Sequence, residues 1–180
     1  AANALWKGKP MPKGWRWGLP PMFYPTHSTA FHVGVTKERF THVSCLGWGN
    51  DASILKDNPY DNPFLNQSAL FRASGGNICR CNVFWWVMAA GERAQWLGEN
   101  LSVYMDNSGG QPFAVRARSK DVPTSMPDYA KLLPEPLRVG GGHGGSHPYL
   151  AHKFIAALVE NREPPVDLYE ALAMTVPGLV

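Results

Sequence analysis

Charge is scarce in this chain of 180 residues. Lys and Arg number 17 and Asp and Glu 14, together 17% of the sequence, for a net charge of +3. So small an excess, with no cluster of Lys or Arg on any segment, does not neutralise a run of phosphates, which argues against nucleic acid as a main partner. Long apolar runs are missing as well. The longest, Val83 to Ala90, is eight residues between Asn82 and Gly91, whereas crossing a bilayer takes roughly 20, so no membrane partner is expected. Cysteine is sparse and odd in number. Cys45, Cys79 and Cys81 lack the dense spacing of a disulfide-stapled secreted module and read as reduced thiols. A C-x-C pair supplies too few ligands for a metal site, and none is expected. The first ten residues show neither a basic-then-apolar leader nor a cleavage site, and they begin with Ala, as a mature chain or a piece of a longer protein would. The bacterial cytoplasm and periplasm both stay open as compartments.

Glycine and proline are abundant instead, 18 and 16 residues, and they punctuate the chain into short segments. With 44% hydrophobic residues and 7 Trp, 8 Phe and 6 Tyr, a packed core is expected, and the length suits a single domain over residues 1–180. Residues 1–21, with Trp6, Trp15 and Trp17 among Gly and Pro, have neither helical nor strand periodicity and read as an extended aromatic arm. Proline in a first turn, followed by Ala30, Phe31, Val33 and Val35, predicts a short helix over about 25–36. Alternation over 40–48 predicts a strand. An Asn- and Asp-rich loop containing Pro59 and Pro63 follows. Strands over 67–73 and 78–89 then form a hairpin through Ser74-Gly75-Gly76-Asn77. Short strands over 93–98, 100–105 and 112–118 continue the series as a meander.

Four prolines between Ser119 and Pro136 mark a surface loop. Beyond them Leu150, Ala151, Phe154, Ile155, Leu158 and Val159 fall at helical spacing and predict an amphipathic helix that stops before Pro164-Pro165. Asp167 is placed to cap a last helix from Leu168 to about Val176. The fold class is therefore α+β, a mainly antiparallel open sheet covered on one face by helices, and not a doubly wound nucleotide fold.

Three features could carry chemistry. Tyr24 and His27, three apart at a helix start, can face one side of a single turn and share proton transfer, with unperturbed pKa values near 10 and 6.5. The commoner fate of such a spacing is a packed Tyr and a capping His. Gly140-Gly141-Gly142-His143-Gly144-Gly145 lets backbone approach a ligand closely while His143 supplies the directional polar group; otherwise it is a flexible link. It matches neither a phosphate loop nor a dinucleotide fingerprint. Trp15, Trp17, Trp48 and the pair Trp85-Trp86 offer flat faces on which a sugar ring could stack, although packing is the usual role of each, and one of Trp85 and Trp86 is expected in the core.

Taken together, the segment from Gly18 to Thr29 with its Tyr24-Pro25-Thr26-His27, the strand Thr41 to Gly47, and the stretch from His143-Gly144-Gly145 to Ala171 resemble the C-terminal half of Gfo/Idh/MocA oxidoreductases. Within that family the Y-P-T-H and H-G-G elements look most like the NAD-dependent glycosidases of family 109. The resemblance implies an NAD- or NADP-dependent enzyme of two halves, of which this chain is the second. It implies a Rossmann half elsewhere that holds the cofactor, and a sugar or glycoside substrate on Tyr24 and His27 with His143 near the sugar; Trp17 and Trp48, read from their flat faces alone, are the candidates to stack on it. Homo-oligomers through the open sheet are implied as well. The family's Rossmann glycines and E-K-P lysine have no counterpart here, so the chain by itself is not expected to turn over. Many members carry D-x-x-x-H where Tyr24 and His27 occur, and Phe23 stands here in place of that Asp. This favours a Tyr/His arrangement in which hydride transfer from a sugar carbon acidifies its neighbour. A stand-alone carbohydrate-binding or assembly domain is the alternative.

Overall fold

The computed structural model describes residues 14, 16–50, 52–88, 91–106, 110, 112–120, 122, 125, 128–139 and 145–180. The chain divides into two compact units. One comprises Ala1–Ala94, Met105–Pro112 and Tyr169–Val180, the other Gln95–Tyr104 and Phe113–Leu168.

In the first unit helix α1 (Thr26–Thr36) begins directly after Pro25 and ends at Lys37, whose left-handed backbone (φ 60°) lets its N–H donate to the Val33 carbonyl at 2.8 Å. Thr29 and Val33, one turn apart on the same face, are fully buried, as the spacing of a helix that covers a sheet requires. The sheet beneath is built from β1 (Phe40–Trp48), β2 (Asn66–Ala73) and β3 (Ile78–Phe84), all antiparallel in the order β1-β2-β3. The β2–β3 hairpin turns at Ser74–Asn77, where Gly76 takes φ 92°, a value that suits glycine.

Register sorts the strand residues into two faces. Val43, Phe71 and Cys79 share one row and Cys45, Ala69 and Cys81 the next. Met22 from the 3-10 turn Pro21–Phe23 closes over them to form a buried cluster with Ala69, Phe71 and Cys81. The opposite face shows Leu46, Leu70 and Ile78 to solvent beside Arg72 and Arg80. An irregularity between Phe40 and His42 keeps Phe40 on the covered side, where its ring meets those of Phe71 (4.9 Å) and His32 (5.1 Å).

The Asn-rich connection between β1 and β2 is ordered by its own side chains, a feature its composition did not announce. It contains a four-residue helix α2 (Ala52–Leu55). Asn58 is buried, donates to the carbonyls of Leu55 (2.7 Å) and Asn62 (2.9 Å), and accepts from the N–H groups of Tyr60 and Asn62. This is the local side chain to backbone bonding that Asn supports in turns. Gly18, at φ 76°, lies so close to Asn58 that a Cβ there would overlap it.

The second unit holds a smaller sheet of β4 (Gln95–Leu97), β5 (Leu101–Tyr104) and β6 (Ala114–Ala117), also antiparallel in the order β4-β5-β6. Helix α3 (Ser146–Val159) starts after Gly145 at φ 93°. Its one fully buried residue is Ala157, while Leu150, Phe154, Ile155, Leu158 and Val159 are exposed. Helix α4 (Leu168–Thr175) belongs from Tyr169 onward to the first unit.

The α+β class stands: helices with antiparallel sheets. Four expectations need correction. The strands form two separate three-stranded sheets and not one continuing meander. The third strand ends at Phe84 well short of Ala89, because β2 begins at Asn66, which is the register partner of Phe84, so residues beyond have no strand to pair with. Trp85 and Trp86 instead donate their N–H groups to the Leu65 carbonyl (3.1 Å) and to Asn66 Oδ1 (3.1 Å). Neither of these tryptophans is core: Trp85 is exposed and Trp86 half-buried. The proline-rich segment read as a loop contains two 3-10 turns, Tyr129–Leu132 and Glu135–Leu137.

Candidate functional site

The candidate site lies within the first unit, where the 3-10 turn meets helix α1. Met22 anchors the turn by donating its N–H to Gln67 Oε1 at 2.7 Å and burying its side chain. Tyr24 leaves the turn with its N–H on the Pro21 carbonyl (3.0 Å) and an extended φ of −121°. Pro25 then sets the helix start, and its carbonyl accepts from the N–H groups of Ser28 and Thr29, which places His27 in the first turn. Deep in the unit, the Thr29 hydroxyl meets the Met174 carbonyl at 2.6 Å and fixes that turn against the C-terminal segment.

These constraints stack the rings of Tyr24 and His27, with centroids 4.7 Å apart and planes 22° from parallel. Trp85 tilts against Tyr24 at 5.8 Å, and the Arg16 guanidinium lies 5.3 Å from the centre of the phenol ring. On the other side His27 Nε2 is 3.7 Å from Glu92 Oε1. The side chain of His27 keeps 36% of its surface exposed and that of Glu92 55%, so part of the imidazole is open to solvent, while its Nδ1 is buried. A phenol, an imidazole, a carboxylate, a guanidinium and an indole therefore form one patch, with neighbouring groups 3.7 to 5.8 Å apart. Such a set can donate and accept protons while an aromatic face holds a ring-shaped ligand.

Sequence reasoning found Tyr24 and His27, and the structure brings them together. It placed Trp17 and Trp48 around the same ligand. Trp17 donates its indole N–H to the Ile54 carbonyl at 3.0 Å and so ties the arm to the β1–β2 connection. Trp48 stands at the end of β1, edge-to-face with Phe84 at 4.8 Å; strand alternation puts both on the solvent side of the sheet. His143 lies outside the described residues. Glu92 and Arg16 were missed, because nothing in the lettering of Gly91-Glu92 or Trp15-Arg16 marks them. Only the chain reversal at Gly91 (φ 100°) and the fold of the arm deliver them here.

The three thiols are not rivals for this chemistry. Burial pushes Cys79 up to about 11, with the neighbouring Cys81 adding to the shift. Burial likewise raises Cys81 and Cys45. Thiols with raised pKa values hold little nucleophilic thiolate at neutral pH. Two apolar grooves, of about 420 and 200 Å³, run beside β1 under the C-terminal residues Pro177 and Val180, and neither is lined by Tyr24 or His27. The patch forms a solvent-accessible wall, His27 and Glu92 each being partly exposed. Among the described residues no group of three or more His, Cys, Asp or Glu could hold a metal ion, and no helix is long and apolar enough to cross a membrane.

No protein-family model matches the sequence, and no curated protein matches it. In structure the chain is similar to UDP-N-acetylglucosamine 3-dehydrogenase GnnA from Acidithiobacillus ferrooxidans, in two crystal forms. One gives a TM-score of 0.60 at 11% identity over 86% of this chain and 43% of that one. The other gives 0.61 at 12% identity over 95% and 47%. This chain thus spans less than half the length of these structures. GnnA is a Gfo/Idh/MocA family member, so the family suggested by the motifs and the neighbours found by shape meet at the level of fold. Both sheets here are antiparallel, and the described residues contain no parallel strand–helix–strand unit whose helix would receive a pyrophosphate. They do not fit a dinucleotide cofactor.

Proposed function

We propose that this chain is the substrate-binding half of an NAD(P)-dependent sugar oxidoreductase or oxidation-elimination glycosidase of the Gfo/Idh/MocA type, its cofactor held by a separate Rossmann domain. The reading rests on one observation, the 4.7 Å stack of Tyr24 on His27 on a solvent-accessible wall flanked by Trp85 and Glu92. Tyr24 and His27 are the acid–base pair. Stacked side by side, they reach neighbouring hydroxyl or C–H protons of one sugar ring, and proton transfer by a positioned side chain contributes typically 10²–10⁴-fold. Trp85 supplies the stacking face and Arg16 a cation for an anionic group, such as the diphosphate of a nucleotide sugar of the kind named for GnnA. Trp17 braces the arm that carries Arg16.

The solvent face of the first sheet completes the proposal. Leu46, Leu70 and Ile78 lie exposed on it, and it serves as the face through which copies of the chain associate.

The test is a nuclear magnetic resonance titration of the chain with UDP-N-acetylglucosamine and a panel of methyl glycosides. Shifts confined to Trp85, Tyr24 and His27 are expected, and His27→Ala is expected to weaken them about tenfold or more while leaving the folded spectrum intact. Shifts centred on Trp48 and Phe84 instead would favour a stand-alone carbohydrate-binding domain. Loss of folding in His27→Ala would make that residue structural.

A further inference from the structure

Strand β1 lies at an edge of the first sheet, with β2 as its single neighbour among the described residues. Its nine residues, Phe40–Trp48, include no Lys, Arg, Asp, Glu or Pro, the residues with which proteins commonly blunt an edge. The irregularity between Phe40 and His42 interrupts it only at its start. Alternate residues of an edge strand turn unpaired N–H and C=O groups away from the sheet. Beside this edge runs the larger apolar groove, of about 420 Å³. Arg39 and the strand residues up to Val43 line one part of it, and Leu172, Ala173, Val176 and Val180 line another, all within the first unit. A groove between an edge strand and a helical segment suits an extended peptide, whose main chain pairs with the strand while every second side chain enters the groove.

Charge selects the occupant. Arg39 is exposed and enters none of the ion pairs among the described residues. His42 and Tyr169 are the other titratable groups that line the groove, and no Asp or Glu does. The acids adjacent in sequence are engaged elsewhere: Glu38 accepts from Asn77 Nδ2 at 2.7 Å, and Glu170 meets Lys37 Nζ at 2.6 Å. We infer that the free edge of β1 is a docking site for an extended acidic peptide. The peptide pairs with β1 as a fourth strand, lays apolar side chains in the groove and sets a carboxylate against Arg39. A second copy of this chain suits the edge less well, because β1 contains no acid that self-pairing could bring to Arg39. The site is independent of the sugar wall, since neither Tyr24 nor His27 lines it.

The experiment titrates the 180-residue chain with a capped peptide of alternating Val and Asp, and with its Val and Lys counterpart, and follows backbone amides by ¹H–¹⁵N correlation spectra. Saturable shifts at Arg39–Val43 are expected with the acidic peptide alone, together with slowed amide hydrogen exchange in that strand. Arg39→Glu, an exposed substitution that spares the fold, is expected to weaken the acidic peptide about fivefold and to let the basic one bind. Ala173→Trp, which fills the groove, should abolish the shifts; if it fails to fold, Arg39→Glu decides. Equal binding of both peptides, or shifts without slowed exchange, overturns the inference. So does movement of the same amides with protein concentration alone, which would make the edge a contact between copies. Because no sugar is present, none of these results bears on the sugar-binding proposal.

Discussion

The sheets β1-β2-β3 and β4-β5-β6 are both antiparallel and three-stranded, yet only the first buries side chains completely. Its strands run nine, eight and seven residues, long enough for two inward rows, and the Pro21–Phe23 turn and helix α1 lie over β2 and β3. The strands of the second run three, four and four residues, and none of their side chains is fully buried. Pairing alone therefore does not make a core; a face must be long enough to take a lid, and the lid must bring its own apolar stripe. The candidate site follows the same logic. Tyr24 and His27 belong to the lid, so their geometry is only as firm as the packing of Met22, Thr29 and Phe71 below them.

The contrast is open to direct attack. Phe71→Ala removes the largest fully buried side chain and should cost about 3–5 kcal/mol, read as a lower urea midpoint. Val103→Ala in the second sheet, half-buried, should cost about 1 kcal/mol or less. Equal losses would erase the distinction between a covered and an uncovered sheet. Thr29→Val is nearly the same size but strips the hydroxyl from the buried Met174 carbonyl, for which about 1–3 kcal/mol is expected. The same variant should broaden the Tyr24 and His27 ring signals if the lid sets their stack.

A smaller effect comes from pH. Cys79 has an ordinary value of 9.0 and is raised to about 11 when folded, so the folded state favours its neutral thiol. The stability this contributes is fully present below pH 9 and is lost as pH rises through about 11. Urea midpoints of the parent should therefore fall more steeply over that window than those of Cys79→Ala; parallel curves would show that Cys79 ionises as freely in the fold as out of it.

Much of the local structure was legible in the lettering, for reasons that are themselves local. Pro25 in a first turn and the alternation from Phe40 to Trp48 act over a few residues, and α1 and β1 formed where they pointed. The β2–β3 hairpin followed from Gly75-Gly76. The misread end of β3 has the opposite cause. Val83-Phe84-Trp85-Trp86-Val87 has every propensity for a strand, but a strand stops where its partner stops, and the partner's start at Asn66 is not written in that segment. The Asn58 network was hidden similarly, since Asn in a loop looks the same whether it is solvated or buried.

By itself, then, the sequence determined the α+β class, the main elements and the Tyr24–His27 pair, because propensity, turn chemistry and helical spacing are properties of neighbours along the chain. Only the tertiary structure decided that the strands split into two sheets, that Trp48 faces solvent, and that Glu92 and Arg16 flank the paired rings. Those outcomes depend on which distant segments meet, and no short motif encodes that meeting.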